Sequence, residues 1–459
     1  MTLRLNVEQL AEMAGNQAVF RTVGKLRSAR GLLRASLPAS VGELCRVRLP
    51  DSGFLTAEVV GFDEDGSQLM CYDSTSGLRP GLDVTALGQR RKVPTGPELL
   101  GRVIDGIGRP LDDLGPLNTT GTRREQAHVP AAMTRSRIRT PLVTGQRVID
   151  SLITIGRGQR VGLFSGSGVG KSTLMGEIAR GASSDVNVIV LVGERGREVR
   201  PFIEDCLGEA GRRRSVVVVA TSDETPLMRI KAVLTAVTVA EAFRSQGADV
   251  LFFLDSITRL AMAQRELGLL RGEPPGARGY PPSVQSLLAE VLERLGAGDT
   301  GTITGLITVL VEGDDMDEPI ADAARSILDG HIVLSRDLAE KGHYPAVDVL
   351  ASVSRLFSEI TSDEHARHAL SVRKMLASYN RMEDLIQIGA YQTGTSPEVD
   401  MAIRLRPAVE RFLQQSEGRQ STWEDTQSQL GLLGQAWQSS VVGTAATSPT
   451  TTADQRNSP

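Results

Sequence analysis

Cysteine is scarce in this chain. Cys45, Cys71 and Cys206 are the only three among 459 residues and stand far apart. An odd, sparse set without C-x-x-C spacing argues against a disulfide framework or a zinc site and suits a reducing compartment. Histidine is little richer: of five, only His365 and His368 are helix neighbours, and no nearby cysteine or third histidine completes a ligand set. Aromatic residues make up 4% and the formal net charge is -4, so neither stacking platforms nor a global basic field points to nucleic acid. No stretch approaches the roughly 18 consecutive apolar residues of a membrane span. The opening MTLRLNVEQLAEMAGNQ has no long apolar core of the secretory kind. A cytoplasmic protein is expected. Lysine is the last scarcity: Lys25, Lys92, Lys171, Lys231, Lys341 and Lys374 are the only six of 51 basic residues. A chain so biased to arginine keeps a compact ammonium at position 171, inside a glycine-rich loop.

What is present falls into zones. Residues 1–22 are polar, with Leu5, Leu10, Met13 and Ala14 loosely at helical spacing, and read as a partly ordered tail or a partner-binding helix. Residues 23–95 carry short alternating segments, ELCRVRL, LTAEVVGF and SQLMCY, between turn residues, which predicts a small β-barrel domain. VPTGPELLGRVIDGIGRPLDDLGPL reads as a connector leading into a core over 96–364. There QRVGLF, NVIVLV, SVVVVA, DVLFFL and TITGLITVL are unbroken apolar runs, suited to a parallel sheet buried on both faces. PLMRIKAVLTAVTVAEAFRSQG keeps 3.6-residue spacing and predicts a helix. The fold class is therefore α/β, a phosphate-binding-loop core with an N-terminal barrel. Residues 365–440 form a helical domain, and 441–459 a low-complexity tail.

The chemistry gathers at SGSGVGKS, residues 165–172, between an apolar strand and a helix. Gly166, Gly168 and Gly170 let successive N–H groups face phosphate oxygens, and Ser165, Ser167 and Val169 complete the loop. The helix opening at Lys171, Ser172 and Thr173 adds its N-terminal partial charge. Lys171 is expected to reach the outer phosphates of ATP and Ser172 to ligate Mg²⁺. Asp255 ends the DVLFFLDS strand, where a carboxylate holds the metal or its water. Glu194, in VGERGREV, emerges at the carboxyl edge of the sheet, placed to orient the attacking water or to pair with Arg195 or Arg197. The spacing of GHYPAVDVLASVSRLFSEI shows no catalysis by itself and reads as a strand running into a loop.

The chain resembles the ATPases of bacterial type III secretion, flagellar and injectisome, which are relatives of rotary ATP synthase catalytic subunits. The likeness runs from about residue 24 to 440. It rests on LGRVIDGIGRPLD, GSGVGKSTL, GERGREVRPFIED, ATSDETPLMRIKA, LDSITRLAMAQRELGL, GEPPGARGYPPS, TVLVEGDDMDEPIADA, DGHIVLSRDLAEKGHYPAVDVLASVSR and YNRMEDLIQIGAY. The resemblance implies that Glu194 is the catalytic carboxylate, with Arg195 beside it among the catalytic candidates. It makes Lys171 the phosphate lysine and lays Tyr344 against adenine. Arg355 becomes an arginine finger reaching the neighbouring subunit's nucleotide. A finger supplied in trans implies a closed ring, here a homohexamer.

The family further implies a stator or regulator at the N-terminus, a central stalk, export substrates and chaperones at the C-terminal helices, and peripheral association with the membrane export gate. Pro201, where an acid is usual, and Gln285, where an aromatic is usual, depart from the pattern away from the reacting groups. SYNRMEDLIQIGAY inclines the reading to the flagellar branch. Injectisome service, a non-catalytic nucleotide-binding ring subunit and an RNA translocase are the alternatives. Glu194 counts against the second; the acidic balance and few aromatics count against the third.

Overall fold

A computed structural model describes residues 21–51, 53–125, 129–131, 133–311 and 318–445. The expectations placed on residues 1–20, on most of the C-terminal tail and on part of the TVLVEGDDMDEPIADA motif lie outside the described residues.

Six strands, Val23–Arg30, Leu32–Ala35, Glu43–Arg48, Phe54–Asp63, Gly66–Cys71 and Asp83–Arg90, form a closed antiparallel barrel. The first strand pairs with both the second and the sixth, which removes any free edge. Alternate residues such as Cys45 and Val47, or Ala57 and Val59, turn inward and are fully buried. Two of the three thiols therefore sit in barrel apolar surroundings. Burial pushes Cys45 up to about 12 and Cys71 up to about 11, so both are unreactive side chains at neutral pH.

The central domain carries a nine-stranded sheet. From one edge the order is Val347–Ser354, Gly330–Leu334, Arg160–Ser165, Thr302–Leu310, Asp249–Asp255, Val186–Glu194, Ser215–Thr221 and Val103–Asp105, with Gly296–Ala297 paired beside Thr302–Leu310. All five apolar runs read from the sequence are strands here, parallel to one another. Two hydrophobic clusters cover its two faces. The predicted helix runs Pro226–Arg244, opened by Thr225 accepting the Met228 N–H at 3.2 Å.

The sheet is wider than the sequence reading allowed. Part of the expected connector, Val103–Asp105, adds a parallel strand at one edge. At the other edge Gly330–Leu334 and Val347–Ser354 pair antiparallel. Both of these last strands alternate buried with part-exposed residues, so they lack the unbroken apolar run that marks an inner strand.

Beyond residue 360 three helices, Asp363–Gln387, Pro397–Leu413 and Trp423–Ala445, pack on one another and against the nucleotide domain. The last continues to Ala445, past the expected boundary at 440. His365 is a packed core histidine: its Nε2 lies 2.7 Å from the Ser151 carbonyl and its ring meets Phe357 and Trp423 edge to face. Among the described residues no group of acidic, cysteine or histidine side chains is clustered to hold a metal by itself. No described helix is long and apolar enough to cross a membrane. Pro201 and Gln285 are both exposed, and nothing in the structure explains either departure.

Candidate active site

The Arg160–Ser165 strand ends at the carboxyl edge of the sheet and hands the chain to the glycine loop. Ser165 is buried as the strand's last residue, its carbonyl accepting the Val311 N–H at 3.1 Å, so the first position of the loop belongs to the strand. Gly168 and Gly170 hold φ of 80° and 85°, the left-handed conformation that a side chain resists. Gly170 is the residue before the helix Lys171–Gly181, and a Cβ there would come within 3.4 Å of the Tyr344 ring. The aromatic ring is thus seated directly over the loop's last turn.

Two parallel strands bring acids to Lys171. Asp255 terminates one of them and is almost fully buried; its Oδ1 receives both the Lys171 ammonium and the Thr308 hydroxyl, the latter at 2.8 Å. Glu194 ends the next strand over. A bulge at Gly193, φ 67°, interrupts the pairing with the Ser215–Thr221 strand and delivers the carboxylate to 3.9 Å from Lys171 Nζ. Burial, and next the Asp255 charge, push the Glu194 carboxyl above its ordinary range; Lys171 and Arg259 pull it back. A half-buried carboxylate held partly towards its neutral form, next to a phosphate-seeking ammonium, is suited to take a proton from water.

Arg259 was not read from the sequence. It lies one helical turn after Asp255, and its side chain packs against Gly193, where a Cβ would come within 3.0 Å of it. The signal was present in LDSITR as a basic residue four positions after the strand-end acid.

A cavity of about 720 Å³ extends from the loop under Tyr344. Val169, Gly170 and Thr173 form its floor, and Arg147, Arg411 and Gln415 are among its walls. The C-terminal contribution was also missed by sequence reading. Gln415 donates its side-chain amide to the Gly145 carbonyl at 2.8 Å and its backbone N–H to the Tyr344 carbonyl at 2.9 Å, fixing the segment that carries the ring.

Two predicted residues stand apart from this cluster. Arg195 begins the next short helix, exposed, with its guanidinium on Glu198 at 3.2 Å. Arg355 follows the edge strand Val347–Ser354 and is exposed, its guanidinium donating to the Arg325 carbonyl at 3.0 Å. It does not line its own chain's cavity. Ser167 and Ser172 are exposed at the loop, the latter one residue into the helix.

Phosphate loop, buried strand-end acid, and barrel and helical domains on either side define a nucleotide-hydrolysing subunit of the rotary type. Residues 145–354 match the ATP synthase alpha/beta family, nucleotide-binding domain, and 35–88 match that family's beta-barrel domain. Residues 361–431 match the T3SS EscN ATPase C-terminal domain. The chain is 51% identical over 412 residues to the flagellum-specific ATP synthase of Bacillus subtilis (strain 168), covering 89% of this chain and 94% of that protein. It is 48% identical over 412 residues to the type 3 secretion system ATPase of Xanthomonas euvesicatoria, at 89% and 93% coverage. The assembled EscN ATPase of enteropathogenic E. coli superposes with a TM-score of 0.85 at 43% identity, over 90% of this chain and all of that one. The chain belongs to the family of flagellum-specific and type III secretion ATPases.

Proposed function

We propose that the chain is the catalytic subunit of a ring motor that hydrolyses ATP to energise export of flagellar proteins. The observation that carries the chemistry is the convergence of Lys171, Asp255 and Glu194 at the end of the phosphate loop, whose Gly168, Val169 and Gly170 line the cavity that Tyr344 overhangs. In the reaction a water oxygen bonds to the γ-phosphorus, the bond from that phosphorus to the bridging oxygen breaks, and the water proton passes to Glu194 Oε. Lys171 and Arg259 supply positive charge to the phosphoryl oxygens as charge spreads over them. Tyr344 covers the base.

Mg²⁺ fits the donor set: hard oxygen ligands suit it, and both contacts to Asp255 fall on Oδ1. Ser172 and Asp255 would hold the ion, which offsets phosphate charge when bound.

The exposed Arg355, outside its own cavity, supports a finger offered to the next subunit, and a homohexamer follows from head-to-tail closure. EscN has been solved assembled and in complex with its central stalk EscO, and we extend both properties to this chain. Peripheral attachment at the membrane export gate, a regulator at the N-terminus, and substrates and chaperones at the C-terminal helices belong to the same reading. The flagellar branch is favoured by the Bacillus subtilis relative, and injectisome service by the Xanthomonas one. ATP turnover by the purified chain with and without Mg²⁺ tests the enzyme reading. Loss of motility with flagellar filament export on deletion, against loss of effector secretion, separates the branches.

A further inference from the structure

The helix that starts at the phosphate loop grips the C-terminal domain through one buried carboxylate. Glu177 lies six residues into the Lys171–Gly181 helix, about 9 Å from its start along the axis. Its side chain also borders the cavity. Oε1 accepts the Gly418 N–H at 2.7 Å, and Oε2 accepts the Gln420 side-chain amide at 2.9 Å. That same amide reaches the Glu177 carbonyl at 3.0 Å, and Arg180 closes the ion pair.

Gln420 is seated in a slot made by two glycines. A Cβ on either Gly145 or Gly181 would overlap its Oε1, so the absence of side chains at both positions lets the amide enter. The segment it belongs to, 414–421, joins the helices Pro397–Leu413 and Trp423–Ala445. The same segment is tied to the nucleotide domain by Ser421 N–H to the Gly145 carbonyl at 3.0 Å and by Arg147 N–H to Gln415 Oε1 at 3.0 Å. Arg147 Nε also donates to the Phe412 carbonyl at 2.9 Å, at the end of the first of those helices.

Displacement of the phosphate-loop helix cannot leave this joint unmoved without abandoning charge-assisted hydrogen bonds donated to a buried carboxylate, which is costly. We infer that Glu177 and Gln420 form the link that carries nucleotide occupancy from the phosphate loop to the C-terminal helices. Both are positioning residues. The inference rests on the cavity being the nucleotide site and deepens that reading by naming how the site addresses the helical domain.

The test compares amide hydrogen exchange over residues 397–445 in the full chain, with and without a saturating non-hydrolysable ATP analogue and Mg²⁺. In the unaltered chain the analogue is expected to slow exchange in segment 414–421 and the helix ends beside it. Glu177→Ala is expected to reduce that nucleotide-dependent change by roughly fivefold or more, the lower range of ordinary coupling between sites. Gly181→Ala supplies the second arm. It adds a helix-favouring residue outside the cavity and evicts the Gln420 amide, so analogue affinity should hold while the C-terminal response falls. An undiminished response in Gly181→Ala, or no response in the unaltered chain once binding is shown, overturns the link. Hydrolysis is not needed for this measurement, so failure of the ATPase reading and failure of the link are seen separately.

Discussion

The Lys171 ammonium lies on Asp255 Oδ1 and 3.9 Å from Glu194 Oε1, so one cation stands between two acids from adjacent parallel strands. This separates their duties. Asp255 is nearly fully buried and shares its Oδ1 between Lys171 and Thr308, which fixes it as a charge-holding group. Glu194 is more open and lacks so close a cation, which leaves it able to exchange a proton.

Glu194→Gln removes that exchange and keeps the shape. The expected result is nucleotide affinity near that of the unaltered chain with turnover lower by roughly 10²–10⁴, the range that positioned proton transfer contributes. Equilibrium binding alongside phosphate release measures both, and a variant with ordinary turnover overturns the role.

The environment of Glu194 also sets the pH response. The base works deprotonated, and its pKa is raised chiefly by burial. Activity should therefore be lost, as pH falls, at a higher pH than an ordinary glutamate would give. Arg259 favours the charged form. Arg259→Ala should move the acid limb of the kcat/KM profile to still higher pH, besides slowing the reaction. A limb that stays in place removes Arg259 from that electrostatic role.

The sequence announced the parts of this site that are local and left out those made by folding. SGSGVGKS and LDS carry Lys171, Ser172 and Asp255 within single strand–loop–helix units, where residue order alone dictates the geometry. Val347–Ser354 was read as a strand running into a loop, but it was not counted with the strands of the sheet, and Gly330–Leu334 was not recognised as a strand, because, near an edge, half their residues are not fully buried. Glu177 meets Gly418 across 241 positions, and Arg147 meets Gln415 across 268; no spacing rule spans such gaps. Arg355 was named through family resemblance alone; it is exposed after the edge strand, and no spacing around it marks a role.

Arg355→Ala and Lys171→Ala chains should each be nearly inactive, the first from loss of a finger worth of the order of 10³ or more in rate. Mixed in one ring, some interfaces pair an intact loop with an intact finger. Partial recovery of turnover in verified mixed assemblies is expected. Recovery absent from such assemblies would place the finger's action elsewhere.

The barrel is held to the nucleotide domain by a buried charge cluster, and its removal is the remaining test. Lys231, on the Pro226–Arg244 helix, donates to Glu58 of the barrel at 2.7 Å and to Glu125 at 2.9 Å; the Tyr72 hydroxyl and Arg91 complete the set. Glu125 retains Arg91 when Lys231 is lost, whereas Glu58 retains only the neutral Tyr72 hydroxyl. Lys231→Met should thus cost about 3–5 kcal/mol, the usual penalty for stranding one partner of a buried ion pair. The double variant Lys231→Met with Glu58→Gln should recover most of the loss, because the stranded charge is gone. Chemical denaturation of the two variants measures this, and equal destabilisation of both would show that Lys231 acts through packing instead of charge.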